Sequence, residues 1–391
     1  MDLLYVLILK KDRDGSVNNL NNKTIMAICT DTELFNENKM FDYDFAKQYF
    51  GLLSMHYFHN FLQGYQVVTG DVALRLIKEK KICAEEVFVI QEQDSKLGKN
   101  LIKKGAVAHT IYCLESQIYA KSFYEKLNTL PQKFKNRVFF GGLYDYTRDC
   151  AEAQNFHSYF PSYDDNDVLE PKEWQSRDFI SLVMGNKFYS SGDIFPRKIR
   201  FKKIVNWVFK KYIYKSKLDK YLQENELQNK RLEFVEFFGS KGVLKLYGNG
   251  WDDLDNLPKS WEIRLSKIVS QLNPKPVDDK FEAISSCKFN LCLENLRYNG
   301  YITEKIIHSF VTGSIPVYLG APDVDKFIPK DCFVDVRDFK SNEELFDFLK
   351  NISQEKAQEY INKGREFLNS KEGQKYSFKG YADFLAKLVR A

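Results

Sequence analysis

The sequence has no cysteine pair at CxxC spacing, only five histidines, no solenoid-period repeat and no low-complexity tract. It also has no apolar run approaching the roughly 18 residues that cross a bilayer. Each absence excludes something. The seven cysteines (Cys29, Cys83, Cys113, Cys150, Cys287, Cys292 and Cys332) are odd in number and scattered, so they read as reduced thiols, not as a disulfide framework or a zinc cage. The short run Leu3–Leu9 lacks a basic leader and is followed by Lys10-Lys11-Asp12-Arg13, so it reads as a first β-strand and neither a signal segment nor a span. Charge of one sign is also scarce: 58 basic against 53 acidic residues leaves +5, which suits small anions or an anionic surface and gives little reason to expect nucleic acid. Lys202-Lys203 and Lys210-Lys211, interleaved with Trp207, Phe209 and Tyr212, come with no nucleic-acid-binding motif. His56 and His59 lie at helical spacing among Met55, Tyr57 and Phe58, where packing explains them better than a metal does.

What is present is a chain of 391 residues, 44% hydrophobic and 15% aromatic, too long for one ordinary core. Strand-like and helix-like segments alternate. Thr24–Cys29, Glu86–Ile90 and Ala106–Leu114 read as strands, with helices over Tyr43–Leu62 and Leu97–Lys104. A second series begins at Phe179–Met184 and continues through the strands Val243–Tyr247, Phe289–Leu293 and Ile315–Leu319, with a helix over Glu304–Thr312. Such alternation predicts an α/β fold with parallel sheets covered on both faces. The acidic stretch Asp164-Asp165-Asn166-Asp167, flanked by Pro161 and Pro171, reads as a solvated linker, and Leu218–Phe238 as a charged surface insertion. The expected domains are 1–168, 169–363 and a helical segment at 364–391. That last segment is amphipathic, so it either packs back on the first domain or contacts a membrane.

The densest constellation is Glu294-Asn295-Leu296-Arg297-Tyr298-Asn299-Gly300-Tyr301-Ile302-Thr303-Glu304-Lys305. It reads as a buried strand ending in two polar residues, a short loop, and a helix capped by Thr303 and ended by Gly313. A helix start presents free N–H groups and partial positive charge, which suits a phosphate. Lys305 adds a full charge where helices ordinarily prefer acids, so an anionic ligand is the expected reason for it. Glu304 can accept hydrogen bonds from a vicinal diol such as a ribose.

From Lys288-Phe289 through Glu294-Asn295, Tyr301-Ile302-Thr303-Glu304-Lys305, Ile315-Pro316-Val317, Gly320-Ala321-Pro322, Pro329 and Phe333 to Asp338-Phe339, the run resembles the signature of family 10 glycosyltransferases, the α-1,3/α-1,4-fucosyltransferases. Shorter islands are similar to the same family. One is Leu246-Tyr247-Gly248-Asn249-Gly250-Trp251. The other is Gly185-Asn186 followed by Arg200-Phe201-Lys202-Lys203-Ile204, with Gly185 standing where the family has serine.

The resemblance implies a GT-B fold of two Rossmann-like domains, with GDP-fucose held mainly by the second and transferred with inversion to an α-glycoside. It implies donor contacts at Tyr301, Thr303, Glu304 and Lys305, with Glu294, Asn295, Asn186 and Tyr247 in the same pocket. A diphosphate pairing falls to Arg200, with Arg197 as the competing position. The general base it implies is Glu115, in Leu114-Glu115-Ser116-Gln117, where Gln117 replaces the family's proline. The alternative for Glu115 is a helix cap. No cofactor is implied beyond the donor substrate, metal stimulation stays open, and Asp252-Asp253-Leu254-Asp255 reads as a loop. The expected setting is the cytoplasmic side of a bacterial membrane, with a lipopolysaccharide-type glycan containing N-acetylglucosamine as acceptor. Two alternatives remain at this point: a transferase of the same signature with another donor or acceptor, and a non-catalytic nucleotide-sugar or glycan-binding protein.

Overall fold

Ile25–Cys29 (β1) is apolar throughout and buried throughout, as a strand covered on both faces must be. The computed structural model describes residues 24–49, 51–62, 64–114, 120–124, 133–140, 155–157, 159–186, 224–255 and 257–390. Around β1 a six-stranded parallel sheet forms from β2 (Gln66–Thr69), β3 (Val87–Glu92), β4 (Val107–Cys113), β5 (Asn136–Phe140) and β6 (Asn155–His157), in the order β2-β1-β3-β4-β5-β6. Its helices are α1 (Tyr43–Lys47), α2 (Leu53–Phe61), α3 (Gly70–Lys78), α4 (Lys96–Lys103) and the short α5 (Lys121–Tyr124).

The second sheet is also parallel, with the order β11-β10-β9-β7-β8. Its strands are β7 (Asp178–Val183), β8 (Leu244–Tyr247), β9 (Cys287–Leu293), β10 (Ile315–Leu319) and β11 (Val334–Asp335). The helices interleaved with them are α6 (Gln228–Ser240), α7 (Lys259–Leu272), α8 (Lys280–Ser285) and α9 (Glu304–Thr312). They are followed by α10 (Asn342–Asn351), α11 (Gln354–Asn369), α12 (Lys371–Gln374) and α13 (Phe378–Arg390). From β7 the chain runs outward to β8, then returns to the other side of β7 as β9. The crevice between the carboxyl ends of β7 and β9 is therefore a topological switch point, where open α/β sheets bind ligands. In the first sheet the corresponding point lies between β1 and β3.

The C-terminal helix returns to the core of the first sheet. Phe378, Tyr381, Leu385 and Val389 of α13 lie in one core with Met55 and Phe58 of α2. Tyr163 pairs in parallel with Ser377, so the outgoing and returning chain segments are hydrogen-bonded to each other.

Three segment readings change. The helix expected over Tyr43–Leu62 is two helices, because the chain turns at Gly51, whose φ of 79° side-chain-bearing residues seldom adopt. The acidic stretch is solvated only in part: Asp165 and Asn166 are exposed, but Asp164 is buried and its carboxylate accepts from Tyr57 Oη at 2.6 Å. The described part of Leu218–Phe238 is no surface insertion either. Phe234, Val235 and Phe238 of α6 are fully buried against the second sheet. The strand expected at Leu3–Leu9 and the basic, aromatic-interleaved stretch 202–212 lie outside the described residues.

Candidate donor-binding site

Helix α9 is fixed from below by polar side chains. Asn290 in β9 donates to Ser309 Oγ at 2.9 Å and accepts from Ser181 Oγ of β7 at 3.0 Å. This buried rung ties both switch-point strands to the helix. At its other end, Gly313 in the left-handed region closes α9.

Above the rung, β9 is followed directly by Glu294, which is completely buried. Its carboxylate accepts from the Thr303 backbone N–H at 2.7 Å, from Thr303 Oγ1 at 2.8 Å and from Lys305 Nζ at 2.8 Å. Lys305 Nζ also donates to Thr303 Oγ1 at 2.7 Å. Thr303 occupies the N-cap position, yet its hydroxyl turns to Glu294 and does not cap the helix. Glu294 thus satisfies the N–H of the N-cap residue itself, from the strand side. It also supplies a reason for Lys305 in the first turn that the sequence alone did not offer: the lysine compensates a buried carboxylate. Glu294 reaches this position because Gly320 has no side chain. A Cβ there would sit 2.5 Å from Glu294 Cγ and 2.4 Å from Tyr318 Oη.

Glu304 faces a second cation, Lys280 of α8, at 3.4 Å. Burial pushes the Glu304 carboxyl up, but Lys305 and Lys280 outweigh it and hold the group well below the ordinary carboxylate range. Burial likewise opposes the charge on Lys305, and Glu294 and Glu304 more than restore it, so its pKa is raised.

Asn295 follows on the same strand end. Its Oδ1 accepts from Arg231 Nη2 at 2.6 Å, and its Nδ2 donates to Tyr301 Oη at 3.3 Å. Tyr301 is only 3% exposed: its ring stacks on Tyr298 at 4.7 Å and meets Phe140, from the end of β5, at 5.4 Å. Leu114, the residue before Glu115, packs on the same aromatic cluster. Across the switch point Asn186 is buried and donates to the Gly250 carbonyl at 2.9 Å, tying the end of β7 to the turn after β8. Tyr247 ends β8, and burial raises its phenol above the ordinary value.

Glu294, Asn295, Tyr301, Thr303, Glu304 and Lys305 are therefore brought together, Glu294 as a buried anchor with no exposed surface of its own. Asn186 and Tyr247 lie on the far side of the crevice. Arg200, Arg197 and Glu115 lie outside the described residues. Sequence reasoning missed Arg231 and Lys280. Arg231 had a signal: it falls on the helical stripe Leu227, Phe234, Val235 and Phe238, where an arginine must have a buried partner. At the helix start itself, the three cations Arg231, Lys305 and Lys280 face the two carboxylates Glu294 and Glu304. Among the described residues no group of three or more His, Cys, Asp or Glu is placed to hold a metal ion.

A doubly wound parallel sheet, with a cation-rich helix start at its switch point, is an α/β architecture of the kind that binds phosphate-bearing ligands. Residues 202–363 match the model described as "Glycosyltransferase family 10 (fucosyltransferase) C-term". The chain is 45% identical over 76 residues to the "Alpha-(1,3)-fucosyltransferase FucT" of Helicobacter pylori, a match covering 19% of this chain and 16% of that protein. It is 40% identical over 102 residues to the mouse "4-galactosyl-N-acetylglucosaminide 3-alpha-L-fucosyltransferase 9", covering 25% of this chain and 28% of that one. The matches thus span less than a third of either relative. A crystal structure of an α1,3-fucosyltransferase aligns over 96% of this chain and 92% of its own, at 16% identity and a TM-score of 0.43.

Proposed function

We propose that the protein is an inverting α-1,3-fucosyltransferase, moving L-fucose from GDP-fucose to an N-acetylglucosamine-containing glycan. The observation that carries this reading is the helix start at the β7/β9 switch point, where Lys305 is held by Glu294 and Thr303 inside the segment that matches the family 10 model. The names of the relatives, both α-1,3-fucosyltransferases, support donor and linkage.

In the proposed reaction the acceptor 3-hydroxyl attacks the anomeric carbon as the bond from that carbon to the β-phosphate oxygen breaks. The hydroxyl proton passes to the Glu115 carboxylate, and GDP leaves with the bonding electron pair. Fixed positive charge stabilises the departing diphosphate. Lys305, the α9 terminus and Arg200 supply it, and no metal is required. Packing of Leu114 on the cluster of Phe140, Leu296, Tyr298 and Tyr301 is what supports a base in the segment that follows β4. The proposed acceptor is a lipopolysaccharide-type surface glycan, met at the inner face of a bacterial membrane by an enzyme in peripheral contact with it.

The test is GDP release from GDP-fucose, with and without N-acetyllactosamine, for the wild type and Glu115→Gln. Acceptor-dependent release by the wild type should fall roughly 10²–10⁴-fold in the variant with an unchanged thermal melt. Release that ignores the acceptor, or a fully active variant, removes the respective part of the proposal.

A further inference from the structure

Lys280 and Glu304 are the first residues of two adjacent helices, and their side chains meet at 3.4 Å. Helix α8 runs into β9 and helix α9 runs into β10, so both start on the carboxyl side of the sheet, where open α/β sheets bind ligands. The root of Lys280 is fixed on two sides. Asp279 caps α8, its carboxylate accepting from the Phe281 and Glu282 N–H groups at 2.9 and 3.0 Å. Phe281 meets the His308 ring of α9 edge-on at 4.8 Å, and Ile284 is buried beneath. We infer that Lys280 is a positioning residue for the donor nucleotide: from α8 it holds the Glu304 carboxylate in the orientation that receives the ribose hydroxyls.

Orientation, not charge, is what Lys280 adds. The start of α9 favours a carboxylate at 304 with or without a second cation nearby. A glutamate side chain is rich in rotamers, however, and this one, at 19% exposure, is not held by packing alone. Lys305 is engaged elsewhere, its Nζ donating to Glu294 and Thr303. Lys280 therefore makes the one ion pair found for Glu304 among the described residues. A carboxylate offers about four lone-pair sites. Lys280 and the backbone N–H of Glu304 itself take two of them, which leaves acceptor capacity on a side chain that is still partly open. Neighbouring ribose hydroxyls are donors of the kind that capacity fits, and bonds to an ionised acceptor are roughly twice as strong as neutral ones. A neutral substitute at 280 would leave Glu304 charged but free to turn into solvent, and the loss would fall on the diol.

This inference rests on the proposed donor site, and the experiment separates the two. Calorimetry compares GDP with 2′,3′-dideoxy-GDP, which lacks both ribose hydroxyls, on the wild type, Lys280→Met and Lys280→Arg. The wild type should bind GDP at least about tenfold more tightly than the dideoxy analogue, the worth of a hydrogen bond to a charged group. In Lys280→Met that ratio should shrink to below about threefold through weaker GDP binding, since coupled groups are non-additive. Lys280→Arg keeps a donor for Glu304 and should hold the ratio within about twofold of the wild type. If the Met variant melts below the assay temperature, Lys280→Ala takes its place. A merely structural role, or a direct contact of Lys280 with the diphosphate, lowers both affinities together and leaves the ratio alone. An unchanged ratio in the neutral variant therefore overturns the inference and leaves the donor site standing, as does a wild type that binds both nucleotides equally. A wild type that binds neither overturns the donor reading and this inference with it.

Discussion

Lys305 Nζ lies 2.8 Å from a Glu294 carboxylate that has no solvent exposure at all, and Thr303 bonds to both groups. In the proposed function the lysine has two partners to serve, a buried carboxylate and the donor, and a substitution there does two things at once. A charge buried without compensation is costly, whereas a neutral pair of similar shape is not. This separates the structural role of Lys305 from its binding role.

Lys305→Met should cost about 3–5 kcal/mol of stability, toward the lower end because the lysine is partly exposed. Adding Glu294→Gln removes the stranded charge while still accepting from Thr303, and should recover most of that loss. GDP affinity should not recover, because the charge-assisted contact, about 1.5–3 kcal/mol, is still missing. Urea melts and calorimetry on the single and double variants check this. Recovery of both properties together would show that Lys305 serves only the fold.

His308 gives a pH signature. It is buried one turn beyond Glu304, its Nε2 donates to the Ser162 carbonyl at 2.8 Å, and its ring meets Phe281 edge-on. Burial first, then the charge of Lys280, pushes its pKa down to about 3. The unfolded chain takes up this proton near pH 6.5, so the contribution is complete above that pH and is lost as pH falls from 6.5 toward 3. The loss is about 1.4 kcal/mol per pH unit at most. His308→Gln keeps a donor for Ser162 and cannot titrate, so its stability between pH 7 and pH 5 should fall less steeply than that of the wild type. Parallel slopes in urea melts would contradict the assignment.

The alternation of apolar strands with helices was legible because parallel strands must be apolar on both faces, as β1 and β10 are. The segment Glu294–Lys305 was legible because a helix start at a strand's carboxyl end has a characteristic polar spacing. What could not be read was which polar residue faces which. Glu294 looked like a ligand contact until the missing Gly320 side chain and the Thr303 hydroxyl showed that it is enclosed. Arg231 was hidden by counting charges along Leu218–Phe238 without asking on which face of the helix each charge falls. Asp164 misled for the same reason, since its partner Tyr57 lies 107 positions earlier in the chain. Long-range pairing leaves no local spacing to detect.

Metal independence follows from the charge arrangement proposed for the leaving group. With Lys305, Arg200 and the helix terminus as the cationic set, exhaustive chelation should leave initial rates within a few-fold of the untreated enzyme. Complete loss restored by manganese would shift the stabilising role to a metal and direct attention to Asp252 and Asp253.

The most direct test is the product itself. Incubation with GDP-fucose and N-acetyllactosamine, followed by proton NMR of the purified trisaccharide, reads donor, linkage and stereochemistry together. The account predicts an α-anomeric fucose signal with its linkage to O3 of N-acetylglucosamine. A β-anomer, or no trisaccharide from GDP-fucose while another nucleotide sugar gives product, would contradict it.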